Sequence, residues 1–166
     1  MFSKIIFVVC ILVCDSDAAK FTELQKRAEQ GDVEAQFFLG HRYNFGLGVL
    51  ENTSEAVKWY CKAAEQGHVE AQYMLARSYF FGLGVLKDEL EGIKWYRKAA
   101  EQGHVNALLH LGWHYRFVIK DKQEAIKWYS KAVECGETTF APDHIKELTR
   151  KHNIRGATRV LVRHRR

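Results

Sequence analysis

Proline occurs once in the 166 residues, at Pro142, while glycine occurs twelve times. Long proline-free stretches closed by glycine favour helices joined by tight turns and argue against a multi-turn β-sandwich. Extended apolar runs are also missing. The longest argument for a membrane span, Ile5–Val13, has nine residues, well short of the roughly 20 that a spanning helix needs. Cysteine is sparse, with four residues, two of them within the first eighteen, so a small disulfide-stapled scaffold is excluded. What remains is 47% hydrophobic and 27% charged, enough to bury a core in one compact, all-α domain. The aromatic share of 13% and the four tryptophans are high for so polar a chain and call for a structural cause.

The first eighteen residues differ from the rest. Lys4 precedes the apolar run, and Asp15, Ser16, Asp17, Ala18 and Ala19 follow it. This order reads as a secretory signal over residues 1–18, with small residues before a mature start at Ala19. Lipidation at Cys10 or Cys14 is an alternative, but Val9 and Val13 stand where such sites want small residues. An uncleaved, buried N-terminal strand is the other reading. Export implies the periplasm or secretion in a bacterium and the secretory pathway in a eukaryote. Removal of the segment leaves Cys61 and Cys135, about two structural repeats apart. Stacked helices advance by roughly 10 Å each, beyond the reach of a disulfide, so both are expected as free, partly buried, small apolar side chains.

An internal period sets the architecture. Ala28-Glu-Gln-Gly31 returns as Ala64-Glu-Gln-Gly67, as Ala100-Glu-Gln-Gly103 and, altered, as Val133-Glu-Cys-Gly136, at steps of 36, 36 and 33 residues. Ala35, Leu39 and Tyr43 return as Ala71, Leu75 and Tyr79 and as Ala107, Leu111 and Tyr115; Trp59-Tyr60 returns as Trp95-Tyr96 and Trp128-Tyr129. A period in the thirties with two helical patterns per unit means a helix-turn-helix array. The segments are 19–31 as an N-terminal half-unit, 32–67, 68–103 and a shortened 104–136 as repeats, and 137–166 as a capping helix with a basic tail.

The unit boundaries have chemical causes. Asn52, Asp88 and Asp121 each stand three residues before a glutamate (Glu55, Glu91, Glu124), the pattern of a reciprocal capping box at the start of the second helix. Gly67, Gly103 and Gly136 supply left-handed residues at its end. Gly46-Leu-Gly48 and Gly82-Leu-Gly84 join the helices of the first two units, whereas the third reads Phe117-Val-Ile-Lys-Asp121 without glycine. That third turn is expected to be tighter, with apolar residues that need cover.

These motifs together resemble the Sel-one-like repeats, a relative of the tetratricopeptide repeats, over about residues 20 to 136. The resemblance implies a right-handed α-α superhelix acting as a scaffold or adaptor for a protein partner, often in exported bacterial proteins and in endoplasmic reticulum quality control. It names no partner. An enzymatic alternative also comes from the family: cysteine-rich bacterial relatives described as penicillin-binding, β-lactamase-like hydrolases carry a cysteine pair, seven residues between, that clamps two helices. The matching positions here are Ala64 with Gln72 and Ala100 with Leu108, so neither clamp exists.

Residues four apart in the first helices share the core face. The opposite face differs between copies: Phe37, Tyr73 and Leu109; His41, Arg77 and Trp113; Asn44, Phe80 and Arg116. First helices in such arrays line the concave side, so this stripe is the candidate groove for a peptide or partner helix, built from residue types common in binding hot spots. Phe37 and Tyr73 fit either the groove or packing on an adjacent repeat; Arg77, Trp113 and Arg116 fit the groove.

Other chemistries fit poorly. The Trp-Tyr pairs recur in frame with the core and read as repeat seals, not as a base or sugar platform, and Lys58, Lys94 and Lys127 before them as a solvated edge. The GxG turns follow no strand and lack a third glycine in register, so they are not dinucleotide cradles. His110 and His114 are four apart but lack the glutamate of a zinc protease. His68 and His104 occupy the place of Asp32 and read as helix starts. No serine or cysteine has a base and an orienting acid beside it. The expectation is a non-enzyme with no cofactor, no metal and no nucleic acid.

Charge is concentrated at the end. Residues 143–166 carry a net +6 and residues 1–142 a net −1. Pro142 suits the first turn of a helix to about His152, with Ile145 and Leu148 inward, a cap that also covers the apolar third turn. Beyond it Arg155, Arg159, Arg163, Arg165 and Arg166 form a basic tail, read either as solvated or as a weak contact for an anionic membrane surface or acidic partner.

Overall fold

A computed structural model describes residues 19–150; the expected signal segment 1–18 and the arginines of the basic tail, Arg155, Arg159, Arg163, Arg165 and Arg166, lie outside the described residues. The described chain is all-α. Helix α1 covers 19–29, followed by α2 (Val33–Phe45), α3 (Thr53–Glu65), α4 (Val69–Phe81), α5 (Glu89–Glu101), α6 (Val105–His114), a single π-helical turn (Tyr115–Ile119), α7 (Lys122–Glu134) and α8 (Phe140–Arg150). These are consecutive packed helix pairs, the α-solenoid class that the period predicts. They form two compact units, one up to Asp88 and one from Glu89. Among the described residues no helix is long and apolar enough to cross a membrane.

In the first unit α2 packs on α3 and α3 on α4. Ala28, Ala35, Leu39 and Trp59 form a buried cluster on which Phe21, Leu24 and Tyr43 lean. Small residues set the spacing. A Cβ on Gly40 would stand 2.8 Å from the ring of Tyr60, so the missing methyl is what lets the tyrosine of α3 fill the groove of α2. The second unit repeats the device in the third repeat, where a Cβ on Gly112 would stand 2.6 Å from the Tyr129 ring. In that unit α5 packs on α6, α6 on α7 and α7 on α8.

The helix starts follow the sequence with one correction. Asp32 accepts from the Ala35 N–H, and His68 and His104 accept through Nδ1 from the N–H groups of Ala71 and Ala107, so both histidines start helices as their position implied. Asn52 accepts from Glu55 N–H and Asp121 from Glu124 N–H, each at 3.0 Å. The return half of the capping box is absent at these two sites. The Asn52 N–H already donates to the Tyr43 carbonyl at 2.8 Å, and Glu55 and Glu124 turn instead to Lys58 and Lys127. In repeat two the Asp88 N–H makes the same bond, to Tyr79, at 2.8 Å.

The third turn also departs from expectation. Instead of only tightening, α6 widens into the π turn and closes on Lys120 at φ 63°; Gly46 and Gly82 hold the comparable left-handed position in the first two repeats at φ 64° and 72°. Phe117, Val118 and Ile119 are about half exposed, so the C-terminal helix does not seal this turn as expected. That helix starts at Phe140, has Pro142 in its first turn as expected, and buries Ile145 and Leu148. Its outward residues Asp143, Lys146, Glu147 and Arg150 are exposed, the polar outer face of a terminal cap. Cys61 and Cys135 are free thiols; Cys61 is half-buried and Cys135 exposed rather than partly buried.

Candidate functional site

The first helices carry the stripe of non-repeated residues, and the two units treat it differently. In the first unit Phe37 is half-buried and stacks on His68 with ring centroids 4.6 Å apart, tilted against Tyr60 at 6.0 Å and His41 at 6.2 Å. His68 is held from three sides, because its Nδ1 caps α4 while Nε2 lies 3.4 Å from Glu34. Phe37 is therefore packed against the adjacent repeat. His41 leans on Phe45 at 4.6 Å, Asn44 is half-exposed, and Phe80 meets Phe81 edge-on at 5.0 Å. Tyr73 is half-buried; burial pushes its hydroxyl above the ordinary value while the Arg77 charge acts the other way. The Arg77 guanidinium lies 6.0 Å from the Tyr73 ring centroid and 3.9 Å from the Met74 sulfur, which leaves its charge at a half-exposed surface.

In the second unit Leu109 is half-buried and Trp113 is 46% exposed, leaning on Phe117 at 5.8 Å. Arg116 is different from its neighbours on the stripe. Its side chain is only 11% exposed, pairs with Glu147 at 2.6 Å and contacts Nδ1 of His144. It ties the π turn to α8, and its guanidinium is occupied by the chain's own packing. The signal for this was faint: His144 and Glu147 are three apart on one helix and so share a face, but nothing in the sequence brings that face to a residue 28 positions earlier.

The Trp-Tyr pairs are sealed. Trp59, Trp95 and Trp128 are 6–8% exposed, and Tyr60, Tyr96 and Tyr129 still less. A lysine three residues on lies over each indole: Lys62 on Trp59 at 3.9 Å, Lys98 on Trp95 at 3.8 Å and Lys131 on Trp128 at 4.7 Å. Sequence reasoning noticed the preceding lysines and overlooked these, although the i, i+3 spacing recurs in all three copies. Burial raises the Tyr60 hydroxyl well above the ordinary range and the Tyr129 hydroxyl to about 12, against the opposing charge of Arg116.

Among the described residues histidine and cysteine form no constellation. His110 stacks on Tyr96 at 4.8 Å, whereas His114 is buried, which lowers its pKa, and among the described residues no group of three ligating side chains could hold a metal. Burial and a hydrogen bond to Glu65 raise the Cys61 thiol to about 11, the reverse of an activated nucleophile. At the position of the helix-clamping cysteines, the buried Gln72 donates to the Ala64 carbonyl at 3.2 Å, and Gln36 to Ala28 at 3.1 Å. A side-chain amide thus joins the helices there, and Leu108 fills the third copy.

Paired antiparallel helices, caps recurring in register, sealed tryptophans and a face that varies from copy to copy define a helical-repeat protein of the tetratricopeptide-like class. The chain belongs to the Sel1 repeat family, whose repeat matches residues 33–68, 69–104 and 105–137. A Sel1 repeat protein from Oxalobacter formigenes is 38% identical over 75% of this chain and 49% of its own, with a TM-score of 0.64. The c5321 protein, a protective antigen of uropathogenic Escherichia coli with an SLR fold, is 30% identical over 82% of this chain and 29% of its own, with a TM-score of 0.69. Helicobacter pylori cysteine rich protein B is 27% identical over 55% of this chain and 68% of its own, with a TM-score of 0.52. The chain spans about half of the first of these and under a third of the second. No curated protein matches it in sequence. Proteins of this repeat generally serve as protein-interaction scaffolds.

Proposed function

We propose that this chain is a noncatalytic adaptor that holds a protein partner against the variable face of its first helices. The observation that carries this reading is the contrast among tryptophans: the three in repeat register are buried under lysines, while Trp113, on the variable stripe, is 46% exposed. A large aromatic left in water costs about 2 kcal/mol relative to burial, and aromatic and arginine residues dominate binding hot spots. Arg77 offers the matching charge in the first unit. Arg116, expected to share this role, is left out of the test because its removal would loosen α8. Cross-linking and mass spectrometry in the native organism identify the partner. An Arg77→Ala/Trp113→Ala protein should then lose its capture while keeping its helical content and melting temperature. Unimpaired capture overturns the proposal.

The order of Lys4, the apolar run and the small residues Ser16 and Ala18 supports export as part of the same reading. Amino-terminal sequencing of the mature protein should return Ala19 first, and a chain that retains Met1 in the native organism overturns it.

A further inference from the structure

Helices α1 and α2 and the turn after α2 enclose an open cleft of about 450 Å³ in the first unit. Its basic lining comes from both helices, Lys20 and Arg27 on α1 and Arg42 on α2, and Glu23 is the one carboxylate in the wall. Leu24, Phe38 and Leu47 supply the apolar surface; Phe38 and Leu47 are 53% and 49% exposed. His41 belongs both to this wall and to the variable stripe.

The two arginines have capacity to spare. Arg27 directs Nε and Nη2 at a single oxygen of Asp32, at 2.9 and 2.5 Å, which leaves the N–H groups of Nη1 without an acceptor among the described residues. Arg42 is half-buried with its guanidinium 5.9 Å from the Phe21 ring centroid, and it has no carboxylate partner among the described residues. An arginine in this position exposes a planar donor fork that carboxylates satisfy in pairs of hydrogen bonds. The apolar wall adds a place for a hydrocarbon side chain beside that carboxylate.

We infer that this cleft is a docking site for an extended peptide of a partner protein in which an acidic residue stands next to a leucine or phenylalanine. The inference rests on the adaptor reading and gives it a partner chemistry and an address in the first unit. Arg42 and the free edge of Arg27 take the carboxylate, and Phe38 and Leu47 take the apolar side chain. Charge complementarity selects the acidic peptide over a basic one, since the three cations of the wall outnumber Glu23 and the Asp32 carboxylate that pairs with Arg27, and Arg42 has no carboxylate of its own among the described residues.

The test uses the full chain and a fluorescein-labelled octapeptide in which leucine and phenylalanine alternate with aspartate and glutamate. Its control carries asparagine and glutamine in place of the acids. Fluorescence anisotropy should show the acidic peptide binding at least tenfold more tightly than the amide control, with affinity falling as salt rises. Arg42→Gln should weaken binding about tenfold, with an unchanged circular dichroism spectrum and melting temperature, and Lys146→Gln on the exposed face of α8 should leave it unchanged. Equal affinity for the two peptides, or an Arg42→Gln chain that binds as tightly as the parent, overturns the inference. The adaptor reading fails separately, when the Arg77→Ala/Trp113→Ala protein still captures the native partner.

Discussion

Two glycines in equivalent turns, Gly48 and Gly84, have nearly the same backbone, at φ 75° and 73°, but different surroundings, and this predicts different costs for the same substitution. An alanine pays about 1–2 kcal/mol for the left-handed conformation, and reduced freedom of the unfolded chain returns about 0.4–1 kcal/mol. At Gly48 a Cβ would meet only the Arg42 side chain, at 3.4 Å, which can move, so Gly48→Ala should cost about 1 kcal/mol. At Gly84 the Cβ would stand 2.4 Å from the carbonyl carbon and oxygen of Thr53 and 2.8 Å from the Ser54 nitrogen. Those atoms are backbone at the start of α3, beside the Asn52 cap, and displacing them adds an overpacking cost of about 1–3 kcal/mol. Gly84→Ala should therefore cost about 3 kcal/mol, a large part of the roughly 5–15 kcal/mol that stabilises a domain. Urea unfolding followed by circular dichroism measures both variants against the parent, with the midpoint shift read at a common slope. Equal losses for the two variants would refute the reasoning, because the backbone term alone would then account for both.

Glu137 predicts an acid-sensitive end. Burial raises its pKa, but the Thr139 hydroxyl and the N–H groups of Phe140, Ala141 and Thr139 outweigh that and hold it at about 2, below the ordinary 4.5. A carboxyl depressed on folding contributes stability that is complete above its unfolded value and is lost as pH falls from about 4.5 toward 2. Glu137→Gln should cost about 2 kcal/mol at pH 7 and flatten that acid limb in melting experiments; an unchanged limb counts against the assignment. Lys120→Gly should relieve the left-handed residue after the π turn and raise stability by about 1 kcal/mol, seen as a melting temperature higher by roughly 2–4 °C. Iodoacetamide at pH 7.5 with peptide mapping should modify Cys135 well before Cys61, because Cys135 is exposed and the Cys61 thiol is raised to about 11; faster labelling of Cys61 would contradict its placement.

The fold was largely legible because its causes are local and repeated. The 36-residue step placed the helix pairs, Asp32, His68 and His104 marked helix starts, and Gly67, Gly103 and Gly136 marked the ends at positive φ. Legibility stopped where a contact joins distant positions. The Tyr43 carbonyl takes the N–H that a reciprocal glutamate would have served at Asn52, and a pattern four residues wide does not contain it. The π turn stands where three residues are missing and no glycine is present, a combination that sequence reads only as a shorter turn. On the candidate site, the stripe positions were readable from helical periodicity. The occupation of Arg116 by His144 and Glu147, and the packing of Phe37 on His68, depend on which neighbour arrives across the interface.

The unequal burial of the tryptophans gives the chain an internal optical reporter. Three indoles are shielded from water-borne quenchers and one, Trp113, is open to them. Acrylamide should extinguish mainly the red-shifted part of the emission, and whatever settles over the Trp113 surface should shelter that fraction and shift it to the blue. Occupancy of this part of the variable face can thus be followed in the unlabelled protein, with a Trp113→Phe chain as the blank.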